Sequence, residues 1–78
     1  MPRFFFHVYD DVVALDDEGM DLPDSEAARR TALAGARALA ADQVRTGRLD
    51  LRHRIEVADD GGAPVLTVTF DEAIRVTR

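Results

Sequence analysis

The chain has 78 residues and a formal net charge of −5, with ten basic and fifteen acidic side chains. That length fits one domain, residues 1–78, and the absence of Cys excludes disulfides and thiolate metal sites, so folding rests on packing and on any partner subunit. A hydrophobic content of 46% excludes global disorder, and the negative charge argues against general nucleic-acid binding, which needs phosphate neutralisation.

All the basic residues are Arg, with no Lys and no Asn in the chain. Together with the Ala, Asp and Gly content, this points to the coding bias of a GC-rich bacterial genome. Met1 to Asp11 does not read as a signal peptide, because its apolar run is short and acids follow at once. No stretch has the length to span a membrane. The expectation is a soluble cytoplasmic protein.

Arg3 to Asp10 is predicted as a strand, with Phe4, Phe6 and Val8 on one face and Phe5, His7 and Tyr9 on the other. Asp10-Asp11 suits a tight turn, and Val12 to Leu15 returns as a short second strand. Asp16 to Gly19 is turn chemistry, and Met20 to Leu22 is extended before Pro23.

Asp24 or Ser25 then caps the longest periodic segment, a helix from Ser25 to Thr46, with Glu26 in its first turn and no capping box. Ala28, Ala32, Leu33, Ala36, Leu39, Ala40 and Val44 share one face. A face made mostly of Ala lets a helix lie close to a sheet, so the bulk must come from residues such as Phe4, Phe6 and Phe70. Gly35 borders that face, where close backbone approach explains it, and Gly47 ends the helix.

Leu49 to Ala58 alternates, with Leu49, Leu51, His53, Ile55 and Val57 against Asp50, Arg52, Arg54 and Glu56, and the strand proper is placed at Arg52 to Ala58. Asp59-Asp60-Gly61-Gly62 signals a hairpin. Val65 to Phe70 follows as the last strand, with Leu66, Val68 and Phe70 inward and Val65, Thr67 and Thr69 outward. Asp71 to Val76 is a tail that forms one helical turn or extends the strand, with Ile74 at the core edge. The resulting class is α+β, in the order β-β-α-β-β: one four-stranded, mostly antiparallel sheet with a single long helix on one face.

The segments MPRFFFHVYDD and DDEGMDLPDSEAAR, then Arg48-Leu49-Asp50, then IEVADDGG before VLTVTF, resemble a family of short bacterial single-domain proteins of unknown function. That resemblance covers nearly the whole chain and implies no activity and no site. The hairpin, acidic Gly turn, Leu-Pro-Asp and Ala-rich helix are also loosely similar to HicB-type antitoxin domains, with a different number and order of strands.

No constellation in the sequence supports catalysis, a metal or a cofactor. His7 and His53 fall on opposite sheet faces, so they read as separate structural histidines. Asp10, Asp11, Asp16, Asp17, Glu18 and Asp21 lack the spacing of a calcium loop and read as a solvated acidic edge. Arg30, Arg37, Arg45 and Arg48 form a candidate anion or partner contact. Residues 25–55 carry +4, against −6 for residues 1–24 and −3 for residues 56–78. No aromatic interleaves with these Arg residues to stack bases.

Phe5, His7 and Tyr9, with Val65, Thr67 and Thr69, line the face opposite the helix and form the candidate interface. The leading expectation is a non-enzymatic protein-interaction module that homodimerises through this face, with room for an unidentified protein partner and no role for a membrane or nucleic acid. The alternative is an antitoxin-like or nucleic-acid-linked regulator that uses the Arg-rich helix face.

Overall fold

A computed structural model describes residues 1–78. It contains β1 (Arg3–Tyr9), β2 (Val13–Ala14), β3 (Met20–Asp21), α1 (Ser25–Arg45), β4 (Arg54–Ala58), β5 (Pro64–Thr69) and α2 (Phe70–Ala73). The class is α+β, as the hydrophobic pattern implies. The sheet has five strands, not four, in the order β2-β1-β4-β5 with β3 also on β1, and every pairing is antiparallel.

The fifth strand comes from the Met20–Leu22 arm. Met20 pairs with Phe4 and Asp21 with Arg3, while β2 pairs Ala14 with Val8 and Val13 with Tyr9. The Leu22 N–H donates to the Pro2 carbonyl, and the Phe6 N–H donates to an Asp16 side-chain oxygen. Backbone groups of alternate strand residues point to the same edge. β2 and β3 therefore lie end to end along one edge of β1, with the turn from Asp16 to Gly19 between them.

α1 begins where the chain must stop being extended. Asp24 is the N-cap, and its carboxylate accepts the Ala27 N–H at 2.8 Å. The helix ends at Thr46, and Gly47 follows at φ 89°, the left-handed geometry that closes many helices. Ala28, Ala32 and Ala36 are fully buried and Ala40 nearly so, forming an i, i+4 ridge with no side chain beyond Cβ. Phe4, Ile55, Val57, Val68 and Phe70 fill the space opposite, with Phe6, Val8, Leu66 and Ile74 at the margin.

Three expectations for the apolar face are corrected. Val44 is 59% exposed, because the sheet ends before the last turn of α1. Phe70 is buried, but it opens α2 instead of closing β5; Thr69 caps that turn through the Glu72 N–H, and Glu72 reaches back to Thr69. β4 starts at Arg54, two residues later than the alternation suggests, because Asp50 and Arg52 close a local turn through the Arg52 N–H. No helix is long and apolar enough to cross a membrane.

Candidate functional site

With α1 on one side of the sheet, the other side has no covering element. Register places the residues there. Opposite Phe5, His7 and Tyr9 stand Ala58, Glu56 and Arg54, and opposite Glu56 and Arg54 stand Thr67 and Thr69. Val65 joins them beside an irregularity in the β4–β5 pairing, and Val13 is added from β2 opposite Tyr9. All six candidate interface residues therefore share one face.

The centre of that face is not apolar. The Arg54 guanidinium lies 4.4 Å from the Tyr9 ring centroid, and its Nε donates to Glu56 at 2.7 Å. Arg54 and Glu56 neutralise each other within the face. Phe5, Tyr9, Val13 and Val65 surround them. Alternation alone puts Arg54 and Glu56 on the polar side of their strand; it cannot put them beside Tyr9, which requires the strand order.

His7 belongs to the bare face but has a local task. Its Nδ1 accepts the Asp16 N–H at 3.0 Å, so this nitrogen is the unprotonated one. Asp16 then accepts three backbone N–H groups, from Phe6, Glu18 and Gly19. Burial pushes the Asp16 carboxyl up, but the N–H groups of Phe6, Gly19 and Glu18 outweigh it and its pKa is lowered. Asp16 is thus a structural residue and not part of a solvated acidic edge. The other acids are dispersed: Asp11 pairs with Arg48, Asp21 with Arg3, and Asp10 accepts the Val12 N–H. No group of three His, Asp or Glu side chains converges to hold a metal ion.

His53 does not sit on an apolar strand face. It precedes β4 with its side chain 11% exposed, edge-on to Phe70. Its Nδ1 faces the Gln43 amide nitrogen, and its Nε2 lies 3.4 Å from Asp50 and 3.6 Å from Asp11. Gln43 also accepts the Asp50 N–H, and Arg52 grips the Asp50 carboxylate, holding its pKa well below the usual carboxylate range. This network ties the end of α1 to the start of β4, far in the sequence from His7, and the two histidines have separate partners.

Each Arg of the proposed anion surface has a partner within the chain. Arg30 pairs with Glu26, Arg45 with Asp42 and Arg48 with Asp11. The Arg37 Nε donates to the Ala73 carbonyl at 2.7 Å, closing the C-terminal end of α2.

Periodicity and residue spacing give no sign of a groove that the tertiary packing creates. This groove, of about 420 Å³, runs between α1 and the β1 edge, lined by Phe6, Val8, Met20, Ala38, Leu39 and Ile55. It exists because the small flank of α1, with Gly35 and Ala38, meets an arm built from strands of only two residues.

No curated protein and no solved structure matches the chain. Residues 3–71 match the family model described as a domain of unknown function, DUF6894. The match spans β1 through the first residues of α2, and the chain belongs to that family.

Proposed function

We propose that the protein is a non-enzymatic interaction module that self-associates through the uncovered sheet face. The observation that carries this reading is the charge of that face. Phe5, His7, Tyr9, Val13, Val65, Thr67 and Thr69 bear no formal charge, and Arg54 and Glu56 cancel. On a chain of net charge −5, this is a broad surface that a second copy approaches without repulsion. A two-fold axis over the face lets Arg54 of each copy meet Glu56 of the other, which is the reciprocal pattern of an isologous interface. The internal pairing of the four helix-side Arg residues supports protein over nucleic acid as the partner.

Sedimentation velocity across a concentration series tests the reading. The wild-type chain is expected to show a concentration-dependent shift towards dimer, and Tyr9→Glu, which adds charge and removes the Arg54 stack, is expected to lose it. A monomer at every concentration overturns the proposal.

A further inference from the structure

We infer that β5 is a pairing edge: two copies join antiparallel along Pro64–Thr69, about a two-fold axis at Thr67, into one continuous sheet. The inference rests on the self-association proposed above and adds a second contact to it.

The two edges of the sheet differ in charge. Acidic side chains are spread along the β2–β3 edge, with Asp10 and Asp11 before β2, Asp17 and Glu18 between the two strands and Asp21 on β3, the kind of charge that deters strand addition. The β5 strand itself has none, and the Glu72 carboxylate meets only its last residue, Thr69. Gly61 to Phe70 is the longest run in the chain without a charged residue, in a sequence that is 32% charged. Its protections are Pro64 at the start and the irregularity beside Ala58, both at one end. An uncharged strand is complementary to itself in antiparallel pairing, because no like charges meet across the axis.

Backbone direction sets the centre of the contact. The Phe70 N–H donates to the His53 carbonyl at 2.8 Å, towards the β4 side. Alternation then turns Val68 and Leu66 towards β4 and Thr67 outwards. The Thr69 N–H also points away from β4, where it meets Glu72 at 3.4 Å. The Thr67 N–H and C=O are the outward pair left for a partner strand, with Val65 beside them; Thr67 is exposed and has no hydrogen-bond partner in the loops or side chains.

Area gives a further reason for an edge contact. Strands spaced about 4.8 Å apart and rising about 3.3 Å per residue give the four-strand face of one copy a footprint of about 400 Å². A standard interface needs about 800 Å² per partner. Edge pairing merges the bare faces of two copies into one of that size, on which a second pair can stack.

Amide hydrogen exchange by NMR on the full chain, together with sedimentation, tests the inference. As concentration rises, exchange at Thr67 in the wild type is expected to slow by about tenfold or more. Thr67→Pro removes an outward N–H and no bond to β4, so its β4 amides are expected to stay protected while association weakens. If association occurs and Thr67 exchange stays constant, the edge inference falls and the sheet-face proposal stands. If the chain is a monomer throughout, both fall. If Thr67→Pro does not fold, Thr67 exchange in the wild type decides alone.

Discussion

The Asp16 carboxylate occupies the place of a strand residue beside Phe6, accepting its backbone N–H at 3.1 Å in the gap between β2 and β3. The same carboxylate closes the turn through Glu18 and Gly19. Asp16→Ala leaves three donors without their acceptor and is expected to cost about 1–3 kcal/mol in urea denaturation. Asp16→Asn keeps a neutral acceptor and is expected to lose less. Equal stability of Asp16→Ala and wild type would remove this role.

The lowered pKa of Asp16 sets the sign of a pH effect. The unfolded chain binds a proton on this group near pH 3.9, and the folded chain binds it at a lower pH. Its contribution is complete above the unfolded value and is lost as pH falls through the folded one. The acid limb of the stability curve is therefore expected to be shallower in Asp16→Asn than in wild type, measured by urea titrations from pH 6 to about pH 2.5.

The close approach of α1 to the sheet reverses the usual outcome of adding apolar bulk. Ala36 is fully buried in the ridge that faces the sheet, so Ala36→Leu is expected to destabilise by about 1–3 kcal/mol through overpacking, despite greater hydrophobicity. Gly35 differs. A Cβ there meets only Ile55 Cδ1, at 3.1 Å, the flexible tip of a side chain that lines the groove. That tip can turn into the groove, and helix propensity favours Ala by up to about 1 kcal/mol. Gly35→Ala is expected to be neutral or to raise the melting temperature; a large loss would show that Ile55 cannot move.

Gly19 is fixed by both conformation and space. Its φ is 74°, and a Cβ would lie 2.9 Å from the Arg3 Cγ and 3.0 Å from the Phe4 carbonyl oxygen. Gly19→Ala is expected to destabilise by about 1–2 kcal/mol or more, because left-handed geometry and a backbone clash add. The comparison with Gly35→Ala is the measurement of interest, since the substitution is the same and the sign differs.

The Arg residues on α1 divide by what they hold. Arg37 donates to the Ala73 carbonyl, so Arg37→Ala is expected to cost about 0.5–1.5 kcal/mol and to loosen α2. Arg30 meets Glu26 at 3.8 Å in solvent, so Arg30→Ala is expected to change stability by less than about 0.5 kcal/mol. Thermal melts separate the two, and equal effects would contradict the distinction.

Local chemistry by itself determined the frame of this protein. The Ala ridge at i, i+4 spacing, the Asp24 cap and Gly47 define α1, and the alternation in residues 3–9 and 65–69 defines the faces of β1 and β5. These signals are readable because each acts within a few residues along the chain. Period-2 alternation also sorts Phe5, His7 and Tyr9 from Phe4, Phe6 and Val8 before any strand order is known.

Tertiary structure decided what required distant partners. Met20-Asp21 is too short to signal a strand, and it becomes one only because Arg3 and Phe4 offer a free edge. Asp16 resembles its acidic neighbours until Phe6 is brought to its carboxylate. Arg54 and Glu56 join the bare face beside Tyr9 only through the β1–β4 register, and Arg37 on α1 and Arg48 beyond its end lose their apparent freedom once Ala73 and Asp11 are in place. Strand order is set by the summed packing of non-local contacts, which leave no local trace in the sequence.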